Sequence, residues 1–295
     1  MNATPGPEVL AQVPGAAAGA RCDWLPLPGG LTNRSFLATT REGRFVVRLG
    51  TAHDALLAID RRAEAATQRL AAAARVAPRV VHADEASGLL VAEYVDGRTW
   101  EPADFTVPGQ IDRLGERLAA LQAIAVPATA GLAVLDPLTL ARGYVARILA
   151  AAPDEQRALA PLLVEAERRQ LDSGCAARRP VLAHSDLHGS NLVEGGRLWL
   201  IDWEYAGLAD PLHDVACVLA YYPAAAPQAR RLLAALGLGQ LATPAALDGA
   251  TWLFQLLVFL WYRARRVAVA PGALEQAAEQ RAARALAPLV HNRNL

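Results

Sequence analysis

Two short stretches of the chain hold the residue types that could do chemistry. His184-Ser185-Asp186-Leu187-His188-Gly189-Ser190-Asn191 puts a carboxylate and a carboxamide five residues apart in a polar loop. Leu198-Trp199-Leu200-Ile201-Asp202-Trp203-Glu204 holds Asp202 just after an apolar run, where a strand would end. Asn and Asp oxygens are hard ligands that suit Mg²⁺, an ion that takes few protein ligands and completes its shell with phosphate oxygens. Asp186 is then left to accept a proton from an attacking hydroxyl. Two other readings stand beside this one. His184, Asp186 and His188 combine imidazole and carboxylate, which also suit Zn²⁺; further ligands would have to come from His53, His82, His213 or His291, none at ligand spacing. Asp186 and Asn191 could also be ordinary loop residues that cap a helix.

Taken together, these stretches resemble the aminoglycoside phosphotransferase and choline kinase superfamily. The shared pattern is His-x-Asp-x-x-x-x-Asn, about ten residues, then Ile-Asp-[Trp/Phe]-Glu, and both parts stand here in order. Asp210-Pro211-Leu212-His213-Asp214-Val215-Ala216 resembles the family's Asp-Pro-x-x-Asp-[Leu/Val]-Ala. Gly29 to Phe36 is similar to the family's nucleotide-covering loop, and Glu93-Tyr94-Val95-Asp96-Gly97 to its hinge between lobes. Only the first twenty or so residues and the C-terminal tail lie outside the resemblance. Thiamine kinase and bacterial choline kinases are the nearest subgroup and share Ile201-Asp202-Trp203-Glu204-Tyr205-Ala206. Phe45-Val46-Val47-Arg48 and the segments around His188 and Asn191 resemble thiamine kinase; Gly29 to Asn33 resembles choline kinases.

The resemblance implies an α+β, protein-kinase-like fold in two lobes, with ATP and Mg²⁺ as cofactors. It makes Asp186 the residue that orients and deprotonates the substrate hydroxyl, and Asn191 and Asp202 the metal ligands. On the nucleotide side it points to Asn33 and Ser35 in the covering loop, to Glu93 and Val95 in the hinge, and to Arg48 paired with Glu64. Arg48 stands where protein kinases carry Lys, and the chain has no Lys at all. A guanidinium offers a fixed fork, so it could bridge phosphates and Glu64 together. His184 and Asp214 read as loop-bracing residues.

Aromatic residues gather late in the chain, and Phe254 and Phe259 read as core. Trp261, with Tyr222, Trp252 and Glu204 behind it, is the candidate for the acceptor wall. Aromatic faces bind organic cations, although Val258 stands where choline kinases tend to carry a second Trp. The expected activity is phosphorylation of the hydroxyl of a small cationic alcohol, thiamine first, choline or ethanolamine next, an aminoglycoside or a sugar after those. A non-catalytic nucleotide-binding module and a metal-dependent hydrolase are the alternatives of other classes.

These residues need elements to position them. The spacing predicts two strands within Trp24–Leu49, a helix over Asp54–Arg75, and a hairpin from Arg79–His82 and Leu89–Val95. Helices are expected over Ile111–Ile124, Thr139–Ala151 and Asp154–Ser173 and again after Asp210. This divides the chain into a flexible start at 1–20, an N-lobe at 21–95 that covers the nucleotide, and a C-lobe at 96–295 with the catalytic loop and acceptor site.

Composition narrows the function classes. Apolar residues make up 53% of the 295 residues, enough for a sizeable core. Twenty-nine basic residues balance twenty-nine acidic ones, which argues against a nucleic-acid binder with a broad basic face. Three scattered cysteines fit neither a disulfide framework nor a metal site. The apolar run Trp252–Tyr262 is too short to span a bilayer, and no leader pattern opens the chain. The expectation is a cytoplasmic enzyme with a small-molecule partner, no nucleic acid and no membrane.

Overall fold

A computed structural model describes residues 5–16, 21–28 and 30–286; Gly29 and His291 lie outside them. The first helical turn is α1 (Pro7–Leu10). Then come strands β1 (Asp23–Leu27), β2 (Arg34–Thr40) and β3 (Gly43–Leu49), helices α2 (Asp54–Leu57) and α3 (Arg61–Ala73), and the hairpin β4 (Val80–Asp84) and β5 (Leu89–Glu93). The five strands form one antiparallel sheet in the order β1-β2-β3-β5-β4. Alternation sorts its two faces. Ala38, Phe45, Val47, Leu89 and Val91 share one face, and Val9, Val13 and Ala16 seal it. Ser35, Arg48 and Leu90 are paired in register on the other face, the one that looks toward the C-lobe chemistry.

Three expectations change here. The stretch 1–20 was expected to be loose, yet within it residues 9 to 16 bury three side chains against the sheet, because that face would otherwise be apolar and bare. Trp24–Leu49 holds three strands, not two, since Asp23–Leu27 pairs with β2 along its whole length despite Pro26. The single helix expected over Asp54–Arg75 is broken. Ala58 adopts a left-handed conformation (φ 60°), and Asp60 caps α3 by accepting from the amides of Arg62 (2.9 Å) and Ala63 (3.1 Å).

The C-lobe begins at β6 (Arg98–Thr99) and continues with α4 (Pro108–Gln122), α5 (Pro137–Ala151) and α6 (Gln156–Ser173). Strands β7 (Val181–Ala183), β8 (Leu192–Glu194), β9 (Leu198–Leu200) and β10 (Gly207–Ala209) follow, then α7 (His213–Tyr221), α8 (Ala229–Ala235), α9 (Pro244–Ala268) and α10 (Ala273–Leu286). β7 pairs with β10, and β8 stands between β6 and β9. The catalytic-loop sequence therefore lies between β7 and β8, and Asp202 follows β9. Helix α9 is long and apolar enough to cross a membrane by length and composition. It is packed by α5, α6, α7 and α10, and Leu253, Leu256 and Leu260 are in the core, so it is the central helix of this lobe.

Candidate active site

The loop between β7 and β8 is fixed mainly by its backbone. Asp214 accepts from the amides of His184 (3.0 Å) and Ser185 (2.9 Å). Cys217 Sγ accepts from Leu187 N–H at 3.2 Å, and Tyr222 Oη from Gly189 N–H at 2.7 Å. Asp214, Cys217 and Tyr221 are spaced i, i+3, i+7, so one face of α7 underlies the loop. His184 is fully buried and neutral, its pKa pushed down to about 4 by that burial. Its Nδ1 takes the amide of Asp186 and its Nε2 faces Ile201 O at 3.0 Å, which assigns the proton to Nε2. Both His184 and Asp214 thus brace the loop as the sequence suggests. Gly189 is required: a Cβ there would meet Trp100 O at 2.5 Å.

Asp186 has a hydrogen bond to each oxygen. Tyr221 donates to Oδ1 (2.9 Å) and Asn191 Nδ2 to Oδ2 (2.8 Å). Burial, with the nearby charge of Asp202, raises its carboxyl to about 7. Asn191 also donates to Asp186 O at 2.9 Å. Its Nδ2 is therefore committed, and among the described residues nothing donates to its Oδ1. Asp202 sits at φ 63°, an uncommon conformation for a residue with a side chain and one that tends to mark functional sites. Its Oδ1 accepts from Arg48 at 2.9 Å, and Arg48 also pairs with Glu64. Two hard oxygens, Asn191 Oδ1 and Asp202 Oδ2, are left without protein donors among the described residues. That donor set fits Mg²⁺, and no cluster of three His, Cys, Asp or Glu is present among those residues to favour a transition metal.

Beside this group opens a cavity of about 460 Å³. Asp186, Asn191, Asp202 and Glu204 reach it from the loop side, and Tyr144, Tyr205, Tyr221, Phe254, Trp261 and Tyr262 give it an aromatic wall. The polar tips of four of these rings are already engaged. Tyr144 Oη donates to Leu57 O (2.9 Å), Trp261 Nε1 to Tyr205 Oη (2.6 Å) and Tyr221 Oη to Asp186. Among the described residues no arginine lines the cavity.

The structure brings Asp186, Asn191, Asp202, Glu204 and Trp261 to one cavity, with Arg48 and Glu64 directly behind Asp202. It separates others. Tyr222 stacks on Phe105 (3.8 Å between centroids, 13° between planes) and its hydroxyl accepts from Gly189 N–H, so it supports the loop from outside the cavity. Its neighbour Tyr221 is the one that faces Asp186, and the heptad spacing from Asp214 was the available signal. Trp252 is core, with Arg169 over its ring, and Phe254 is core as its pattern reads while one side of it also lines the cavity. His188 also lines the cavity, edge-on to Tyr221. Ser35, Glu93 and Val95 lie away from the cavity. Ser35 is paired with Arg48 across β2 and β3, Glu93 is ion-paired with Arg79 (2.7 Å), and Val95 follows Tyr94, whose ring lies under the Arg44 guanidinium. Glu204 accepts from Thr32 (2.6 Å), Asn33 (2.7 Å) and Arg61 (3.3 Å), so the covering loop is tied to it directly. The sequence gives no sign of the part Arg61 plays.

The fold is kinase-like. A family model for the phosphotransferase enzyme family matches residues 23–250, and the chain belongs to that family. It is similar to a choline/ethanolamine kinase family protein from Mesorhizobium loti, with 28% identity over 96% of this chain and 93% of that one and a TM-score of 0.74. Choline kinase LicA from Streptococcus pneumoniae is 22% identical over 89% and 94% of the two chains, with a TM-score of 0.71. The macrolide 2'-phosphotransferase MphH from Brachybacterium faecium is 23% identical over 89% and 94%, with a TM-score of 0.59. No curated protein matches the sequence. The chain is a small-molecule phosphotransferase.

Proposed function

We propose that this enzyme transfers the γ-phosphoryl group of ATP to the hydroxyl of a small alcohol that carries an organic cation. The observation that carries this reading is the cavity itself: Asp186 at one end, ring faces around it, carboxylates nearby and no arginine among its described lining residues. Ring faces attract cations whose charge cannot be met by hydrogen bonds. Asp186 accepts the hydroxyl proton as the alcohol oxygen bonds to phosphorus, and the bridging oxygen leaves with ADP. Asn191 and Asp202 would hold Mg²⁺, which supplies charge neutralisation on the phosphates. On the nucleotide side, Arg48 held by Glu64 serves the phosphates. Asn33 and Ser35 belong to the covering loop and its strand, and the Glu93–Val95 backbone takes the base.

Among cationic alcohols, choline is favoured over thiamine. The relative at 28% identity is a choline/ethanolamine kinase family protein, and the engaged Tyr and Trp tips leave rings rather than acceptors for an ammonium group. Thiamine is the second reading because Val258, where a second Trp would narrow the wall, lines the cavity. The test is ADP release by the purified protein against choline, ethanolamine, thiamine and an aminoglycoside, together with Trp261→Ala. Losing a desolvated cation–π contact should raise the acceptor KM about thirtyfold (about 2 kcal/mol) and leave the ATP constant nearly unchanged. A folded Trp261→Ala protein with wild-type constants for every cationic acceptor would point to a neutral acceptor such as a sugar.

A further inference from the structure

Arg61 is the first residue of α3 and is almost wholly buried. Each of its N–H groups has an acceptor. Nε donates to Asp54 Oδ2 (2.7 Å) and Nη2 to Asp54 Oδ1 (2.7 Å) and to Asn33 Oδ1 (2.8 Å). Nη1 donates to Glu64 Oε2 (3.0 Å) and to Glu204 Oε2 (3.3 Å). A guanidinium has five donors, so none is spare. The four partners come from the covering loop, α2, α3 and the segment after Asp202. The bonds of Arg61 thus join three N-lobe segments to one in the C-lobe.

The bonds meet on the covering loop. The Asn33 amide is pinned at both ends, its Oδ1 by Arg61 and its Nδ2 by Glu204. Thr32 donates to the other oxygen of Glu204. Gly30 lets the loop fold tightly here, since a Cβ on it would lie 2.4 Å from Asn33 O. Gly30, Leu31 and Thr32 are at the same time one wall of the acceptor cavity. The loop that lies over the nucleotide thus also closes the acceptor side.

We propose that Arg61 is a positioning residue that shuts the covering loop over the reacting phosphate and keeps water out of the cavity. The inference rests on the phosphotransfer reading above. With the loop shut, the acceptor hydroxyl is the only nucleophile at the γ-phosphate. With it loose, water enters and competes: its oxygen bonds to phosphorus, the bridging oxygen leaves with ADP, and inorganic phosphate and a proton are released. A lysine at this position keeps the charge but offers a point ammonium with three donors, too few to hold all four partners.

The experiment measures ADP released per phosphorylated choline, with choline KM and melting temperature on the same preparations of the full chain. The wild type should release close to one ADP per product. Arg61→Lys should release several ADP per product and raise the choline KM about tenfold, with the kcat for ADP release changed far less. A role confined to stability would lower the melting temperature and leave the ADP-to-product ratio at one. Thr32→Val removes the hydroxyl that donates to Glu204 and accepts from Asn33 without touching the charges, and it decides the matter where Arg61→Lys does not fold; it should uncouple in the same direction by a smaller factor. A folded Arg61→Lys, or in its place Thr32→Val, with the ratio at one and the KM unchanged overturns the proposal. A wild type that phosphorylates none of the cationic alcohols overturns the functional reading and this inference with it.

Discussion

The joint between the lobes and the catalytic loop solve the same problem in opposite ways. At the joint, Arg48 and Arg61 are buried among four carboxyls, those of Asp54, Glu64, Asp202 and Glu204, and burial with the charge of Asp202 raises Glu204 to about 8. Such contacts depend on every member being present, because removing one leaves a buried charge without its partner. Under the catalytic loop, the braces hold backbone amides. His184, Asp214, Cys217 and Tyr222 each take or give a main-chain hydrogen bond. Backbone bonds fix a loop in one shape. Ion pairs between separate segments can be broken and remade as a nucleotide enters. On the proposed reaction, backbone braces hold the carboxylate that would meet the hydroxyl, and ion pairs between segments border the place where phosphates would enter.

The largest expected effect tests the rigid half directly. Asp186→Ala should lower kcat roughly 10²–10⁴-fold while ATP binding persists, since the carboxylate acts on the acceptor. Turnover near the wild-type rate, measured as ADP release with saturating acceptor, would take Asp186 out of the chemistry. Asp214→Ala comes next. It leaves the His184 and Ser185 amides buried without acceptors, at a cost of about 1–3 kcal/mol each. A clear fall in melting temperature should accompany a loss of kcat larger than the change in the ATP constant. If melting falls but the folded protein turns over normally, the loop holds its shape without this brace, and the contrast with the joint weakens.

How much of this was legible follows from where each contact lies along the chain. Asp186, Asn191 and Asp202 sit within one short stretch, so their types and spacing already suggested the chemistry proposed for them, and the fold brings them to one cavity. Asp214 was legible for the same reason. Tyr221 was within reach, because it is seven residues from Asp214 on a helix, but its neighbour Tyr222 was the one singled out. Arg61 was not legible. Its partners lie from 3 to 143 residues away, and Asp54 meets Arg61 across the break at Ala58 that the sequence pattern does not show. The break itself depends on tertiary packing, since Ala has no preference for the left-handed region. Asp60, a good cap in front of a helical run, was the one local clue. Strand β1 carries Pro26, which an edge strand tolerates and a central one would not.

The smallest effect concerns acid, and it falls on the support beneath the catalytic loop. His213, on α7 beside the loop brace, is buried against Phe254, and burial pushes its pKa down to about 4, with Asp210 pulling slightly upward. In the unfolded chain the same ring titrates near 6.5. Above that value neither state binds the proton, and His213 contributes nothing to the pH dependence. Between about 6.5 and 4 the unfolded chain binds a proton that the folded one refuses, so stability is lost as pH falls through this window. Several buried carboxyls with raised pKa values, Asp186 and Asp214 among them, act in the opposite sense over the same range. The total stability curve therefore cannot isolate the histidine, but a difference can. His213→Phe removes this titration alone, and any packing cost it carries is the same at every pH. Relative to wild type, the variant should gain about 3 kcal/mol between pH 7 and pH 4, read from urea unfolding at each pH. A difference that stays flat across that window would mean His213 takes up its proton in the folded state. The support beneath the catalytic loop would then hold a charged imidazole against Phe254 rather than a neutral one.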